Sequence, residues 1–411
     1  MVTHACRRAW PEGAGRGSHV RPKGCPTEAA PPRQRGAREA GLTLVELMVT
    51  LVIAGLVTSS TFIFFAGQRR VYDAQMKVLG VQQNLWVAMD TLARFVRAEG
   101  TGMIGCVNAT DPTPTGTTPP QTGLRVYSGG AVARLAPIWI QNGANGGTDS
   151  LTVVFGTGTF GNFSDVALGA SIQRASDPVV TPAGLTSAFR TGEFVLALDT
   201  TGLPAGPPLG DSGCTLFQIT GINAGANTLL KASTSSWNPP GDVAGLVPFD
   251  YIGGAAPKAG LRDFGTLSWV NFFIDSTGAS PRLMMARLDG LGGPTAPQVL
   301  ADGIEDLQIA YACDLNPPAP DGPDGVFSEG TDTASRQADE WTYNVAGDVP
   351  PAGCVRPQAV RLTIIARTTV GDDNLSGLAA NAKPAAEDGV AGARDNYRHR
   401  VLTTIVSPRN R

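Results

Sequence analysis

"GLTLVELMVTLVIAGLVTSSTFIFFAG", Gly41 to Gly67, is an apolar run with a single charge, Glu46. Leu47 to Ala66 gives 20 consecutive uncharged residues, the length a helix needs to cross the hydrocarbon core of a bilayer. A charge inside such a helix costs on the order of 3 kcal/mol by insertion scales. Glu46 therefore either sits near a helix end, where its carboxylate reaches the headgroups, or has a partner that makes its position tolerable. The run is not an ordinary secretory signal. No small-residue cleavage site follows it, and the helical pattern continues beyond it.

Gln68 to Lys77 is mostly polar. Val78, Val81, Leu85, Ala88, Met89, Leu92, Phe95 and Val96 then recur at mostly three- and four-residue spacing, the signature of a helix with one apolar stripe. Gly100 and Gly102 mark the stop. The pattern predicts one helix from Leu42 to about Ala98, roughly 85 Å long at 1.5 Å per residue. Its first half suits lipid and its second half suits packing on a sheet. Trp86 is assigned to the core, Arg69 and Arg70 to the outer membrane interface, and Arg94 and Arg97 to solvent.

Charge is divided across this helix. Met1 to Gly41 carries eight Lys/Arg and three Asp/Glu, whereas the remainder carries 24 and 32. A basic head, an apolar segment and an acidic body are the order of a translocated protein whose head stays in the cytoplasm. The acidic body offers no basic patch to neutralise phosphates, so no nucleic-acid partner is expected. Cys6 and Cys25 lie in the head. Cys106, Cys214, Cys313 and Cys354 lie in the body, an even set read as two disulfides outside the cytoplasm. Three pairings are open. Cys106–Cys214 and Cys313–Cys354 are favoured because each links neighbours in order and closes a Gly/Pro-rich excursion.

The context of Glu46 is specific: a basic stretch "RQRGAREAG", Arg33 to Gly41, then Gly41, then an apolar run with Glu as its fifth residue. This resembles the type III signal of type IV pilins and pseudopilins. The resemblance implies cleavage between Gly41 and Leu42 by a prepilin peptidase and N-methylation of Leu42. It also implies that Glu46 pairs with the freed Leu42 amine of a neighbouring subunit during assembly. Leu42 stands where the family usually has Phe.

The body has 51 Gly and 31 Pro in a chain of 411 residues and few aromatics, which favours strands and long loops over a helical bundle. Val107 to Ser150 reads mostly as loop. Strands are expected at Leu151–Phe155, Glu193–Leu198, Thr215–Ile219, Leu267–Ile274, Leu283–Leu288 and Ala359–Thr369. A turn and strand are expected within Val299–Asp314, and a last strand within Tyr397–Arg411. The fold class is α+β: a long N-terminal helix packed on an antiparallel β-sheet with long loops. "QQNLWVAMDTLARFVRAEGTGMIGC", "ADGIEDLQIAYACD", "VRLTIIART" and "VLTTIVSPRNR" are similar to segments of PilW-type minor pilins.

The organisation so implied is a leader at 1–41, a membrane-spanning and filament-core helix at 42–67, its amphipathic continuation at 68–100 and a periplasmic β-rich domain at 101–411. The implied function is a minor pilin acting in pilus initiation or near the tip. A minor pseudopilin of a type II secretion system is the alternative, and a membrane-anchored surface binding module is a third reading. Expected partners are the prepilin peptidase, other minor pilins and the major pilin, the inner-membrane assembly platform and membrane lipid. The expected location is the inner membrane, single-pass, and then the pilus on the cell surface.

No enzyme motif emerges. "GDSG", Gly210 to Gly213, matches the nucleophile turn of trypsin-like proteases, but the one body histidine, His399, follows it in the chain, opposite to the order that family uses. A single body histidine also speaks against a His-based zinc site, so no metal or cofactor is expected. Asp321, Asp324, Glu329, Asp332, Asp339 and Glu340 crowd one loop. They read as a solvated loop, with Ca²⁺ ligation as the alternative.

Overall fold

The computed structural model describes residues 43–103, 106, 124–128, 130–158, 166–199, 214–247, 250–289, 295–312, 327, 340–344, 357–372 and 382–408. Helix α1 spans Leu44–Ala98. It ends where Gly100 and Gly102 adopt φ of 65° and 83°, a left-handed exit that favours glycine. A Cβ on Gly102 would also lie 3.0 Å from the Phe264 ring.

The chain forms two compact units, one ending at Gly67 and one starting at Gln68. In the first, every described residue is exposed, and the helix is long and apolar enough to cross a membrane.

The described residues of the second unit form the rest of α1 and four sheets, with strands numbered in chain order. A five-stranded antiparallel sheet has the order β14 (Gln298–Asp302), β13 (Arg282–Asp289), β12 (Leu267–Asp275), β4 (Ser150–Gly156), β3 (Ile138–Gln141). A four-stranded antiparallel sheet has the order β16 (Trp341–Thr342), β15 (Ile304–Ala312), β17 (Ala359–Arg367), β18 (His399–Val406). The six-stranded sheet runs β2 (Ala131–Leu135), β1 (Leu124–Ser128), β8 (Cys214–Gln218), β7 (Phe194–Asp199), β11 (Ala259–Gly265), β5 (Val166–Ala167), with β1 and β8 parallel and the other pairs antiparallel. The smallest sheet is β6 (Val179–Val180), β10 (Thr228–Leu230), β9 (Gly221–Asn223).

The apolar stripe of α1 determines which sheets it meets. Val81, Leu85, Ala88, Met89, Leu92, Ala93 and Val96 are buried in one core with Val153, Phe272, Leu307, Ile309, Leu362 and Ile364. The partly buried Phe95 ring meets Phe155 and Phe272 edge-on at centroid distances of 5.8 and 5.1 Å. Each fully buried Leu, Met or Val contributes about 1.5–3 kcal/mol, so the five of these in the stripe are ample to fix this part of the helix on the five- and four-stranded sheets.

Three expectations need correction. The stretch Val107–Ser150 contains β1, β2 and β3; "LRVYS" and "AVARL" alternate about a tight turn, a pattern that the surrounding Gly and Thr obscure. One sheet was expected and four are found among the described residues, because the Gly/Pro-rich segments contribute short strands of their own. Trp86 is 65% exposed rather than in the core. It follows Leu85 directly, and on a helix the next residue is turned about 100° away from the buried face.

Candidate functional site: the helix start and the buried polar seat

Thr43, Leu44, Val45 and Glu46 have the capping-box pattern, with Thr at the N-cap and Glu three residues on. The Glu46 backbone N–H donates to Thr43 Oγ1 at 3.3 Å. The Glu46 side chain is exposed in the first turn, where the positive end of the helix dipole favours a carboxylate by about 0.3–1 kcal/mol. The position of Glu46 in the first turn thus suits a carboxylate locally, apart from any role in assembly.

The hydroxyls of the apolar run are satisfied within the helix. Thr50 donates to the Glu46 carbonyl at 2.9 Å, Thr58 to Ala54 at 2.7 Å, Ser59 to Leu56 at 3.0 Å, Ser60 to Leu56 at 2.5 Å and Thr61 to Val57 at 2.7 Å. Bonding back to the preceding turn is how hydroxyls avoid the cost of an unmet polar group in lipid. The segment is therefore chemically suited to a bilayer despite five Ser and Thr. Gly41 and Leu42 lie outside the described residues.

Cys106 and Cys214 form a disulfide with Cα atoms 5.2 Å apart. Both are fully buried in a core with Met103, Leu124, Phe194 and Leu216. Cys214 opens β8 in register with Leu124 of β1, so the bridge ties the segment after α1 to the parallel pair. Cys313, Cys354, the GDSG turn and the acidic residues from Asp321 to Asp339 lie outside the described residues. Glu340 is described and buried.

A polar network fixes the segment 382–389 on the sheets. Arg361 Nε and Nη2 donate to Glu387 Oε1 and Oε2 at 2.8 and 2.6 Å, and Thr363 Oγ1 donates to Glu387 Oε1 at 3.0 Å. The Arg361 guanidinium also lies over the Trp341 ring, 4.3 Å from its centroid. Lys383 Nζ reaches Asp306 Oδ2 at 2.7 Å, and Gln308 Nε2 donates to Asp306 Oδ1 at 2.9 Å. Asn142 Nδ2 donates to Asp388 at 2.8 Å. Deeper still, Asp149 accepts from the backbone N–H groups of Gly143 and Ile309 at 2.8 and 2.7 Å. Burial pushes the Asp149 carboxyl up to about 8 against those two donors, and the nearby Asp388 and Asp306 carboxylates push the same way. Burial also raises Asp388. The sequence signal for this network was the polar set Glu305, Asp306 and Gln308 inside an otherwise apolar strand.

Residues 36–62 match the family model described as the prokaryotic N-terminal methylation motif. Residues 271–410 match that described as type IV pilus-assembly protein W. Comparison with curated proteins and with solved structures finds no match. Both matched families are structural components of pili rather than enzymes. The first match brackets Gly41, Leu42 and Glu46. The second covers most of β12 and all of β13 to β18, strands that receive the stripe of α1. Each match falls on the element that the resemblance assigned to it, and together they support a type IV pilin-like protein of the PilW type.

Proposed function

We propose that this chain is a minor pilin that enters the pilus through α1 and acts in initiating assembly or near the tip. In this reading the prepilin peptidase cuts between Gly41 and Leu42, Leu42 is N-methylated, and the Glu46 carboxylate pairs with the Leu42 amine of a neighbouring subunit. One observation carries it: a fully exposed apolar helix segment whose only carboxylate stands in its first turn, inside the matched methylation motif. Each charge alone is costly in lipid, and pairing relieves both costs. The partners are other minor pilins, the major pilin and the inner-membrane assembly platform. The protein resides in the inner membrane, with its body in the periplasm, before incorporation. The match to the pilus-assembly family favours the pilus over a type II secretion filament.

Two measurements test this. Intact mass of membrane-extracted protein from hosts with and without the peptidase is expected to show a chain starting at Leu42, one methyl heavier, only where the peptidase is present. Retention of residues 1–41 in both hosts would overturn the processing step. Glu46→Gln keeps a residue suited to the capping box but removes the charge. It is expected to be processed and to stay in the membrane, yet to be lost from sheared pili. Incorporation equal to the unaltered chain would sink the pairing mechanism and leave Glu46 only its place in the first turn of the helix.

A further inference from the structure

The geometry points to a site for a first-row divalent metal ion, of the zinc or manganese class, formed by Glu305, Asp395 and His399. These residues come from separate places in the fold. Glu305 is the extra residue of a β-bulge: β15 and β17 pair at Ile304–Ala366 and Asp306–Ile365, and Glu305 has no opposite number. A bulge re-aims a side chain. This one follows Gly303, whose φ of 76° and close approach to the Arg367 carbonyl exclude a Cβ. His399 opens β18 opposite Arg367. Asp395 lies four residues before it, on the segment leading into the strand.

One ligand atom from each residue lies within 4.8 Å of the others. His399 Nε2 is 3.0 Å from Glu305 Oε2 and 3.5 Å from Asp395 Oδ2. Tetrahedral ligands about 2.0–2.1 Å from a zinc ion stand roughly 3.3 Å from one another. The two separations from His399 bracket that edge, and the third pair of ligand atoms also lies within 4.8 Å, close enough for one ion to reach all three.

The second observation is an unmet polar side chain. The His399 ring is only 5% exposed. Both of its nitrogens and Glu305 Oε2 lack a hydrogen bond among the described residues. The 3.0 Å approach thus lacks the direction of an N–H···O bond. A ring nitrogen and a carboxylate oxygen this close without a directed hydrogen bond repel unless something positive stands between them, and buried polar atoms left unmet are destabilising.

The neighbour on the far side fits the same picture. Arg367 Nη1 lies 4.0 Å from Glu305 Oε1, and its guanidinium is stacked on the Tyr397 ring at 4.1 Å. Oε1 faces the guanidinium and Oε2 faces the site, as when an outer group orients a ligating carboxylate. One imidazole and two carboxylates suit a borderline cation better than Ca²⁺, which takes six to eight oxygens. The ion would fasten the start of β18 to the bulge of β15. The expectation of no metal rested on the search for several histidines. A mixed set drawn from 305, 395 and 399 leaves no such spacing in the sequence.

The test is calorimetric titration of zinc chloride into the purified, detergent-solubilised chain, stripped with chelator and with free thiols alkylated. Parallel melts with and without zinc would be recorded. One zinc per chain and a raised melting temperature are expected. His399→Gln is expected to abolish binding. Asp395→Asn, on a partly exposed side chain that leaves the fold intact, is expected to weaken it roughly 10- to 100-fold, the range that perturbed metal sites show. Absence of stoichiometric binding, or unchanged affinity in both variants, would overturn the site and leave His399 simply packed beside the two carboxylates.

Discussion

Replacing both Cys106 and Cys214 by Ala removes a bridge whose two ends are 108 residues apart. In the chain-entropy account, closing a loop of about 100 residues restricts the unfolded state by roughly 4.7 kcal/mol. Residual structure in the unfolded chain lowers that figure, and the loss of two buried sulfur atoms from the core raises it, so a net cost of about 3–5 kcal/mol is expected. At roughly 2.1 cal/mol/K of unfolding entropy per residue, a body of this size loses about 1.4 °C per kcal/mol, and the melt should fall by about 4–7 °C. Scanning calorimetry of the two proteins at one pH reads this directly. The damage should be local as well. Cys214 stands beside Leu124 in the parallel β1–β8 pair, so amide exchange in β1 should accelerate before exchange in β17. Both cysteines are fully buried, so dithiothreitol should leave the bridge intact until denaturant is added. A double variant melting within about 1 °C of the unaltered chain, or reduction of the native protein within minutes, would refute the view that this bridge secures the six-stranded sheet.

Two further outcomes follow from the polar network. The Asp149 carboxyl sits at about 8 in the folded chain and at about 3.9 when unfolded, so the folded state holds a proton that the unfolded state releases. Its contribution is whole below about pH 4 and is lost as pH rises to about 8, with a slope of at most about 1.4 kcal/mol per pH unit; Asp149→Asn should flatten urea midpoints measured from pH 5 to pH 8, and an unchanged slope would assign the pH dependence elsewhere. Glu387→Ala leaves Arg361, only 12% exposed, without its carboxylate, and should cost about 3–5 kcal/mol in chemical denaturation; the double change with Arg361→Met should recover part of that loss, and strict additivity would show that the pair is not coupled.

What could be read from the sequence was whatever repeats at short range. The stripe from Val81 to Val96 and the stop at Gly100 needed only helical spacing, and strands such as "AVRLTIIAR" announced themselves by β-branched content. Strand partnership was not legible, because it depends on contacts distant in the chain. The parallel pairing of β1 with β8 joins residues about ninety positions apart, and nothing local to Leu124 specifies it. The same limit hid the grouping of Glu305 with His399 and Asp395. A bulge of one residue, which shifts the register by one, decides where Glu305 points, and no periodicity encodes it. Trp86 failed for a different reason: residue type suggested burial, whereas its position beside the stripe dictated exposure.

Costly carboxylates in this chain meet their cost in different ways, and the contrast bears on assembly. Asp306 and Glu387 have Lys383 and Arg361 beside them. Asp149 has two backbone donors and holds a proton into the neutral range. Glu46 is exposed, its backbone N–H is bonded to Thr43, and its carboxylate has no ion pair among the described residues. The apolar side chains around it cannot by themselves select a filament over lipid, because lipid tails are as apolar as they are and helix association in a bilayer gains no hydrophobic energy. A charge pair behaves differently, since its strength rises as the dielectric falls. On the proposed reading, the exposed leucines, valines and phenylalanines of α1 make the segment resident in the membrane, and the one carboxylate makes a particular neighbour preferable to lipid. A pair formed at a single position also sets the axial stagger between subunits, which non-directional apolar contact leaves free.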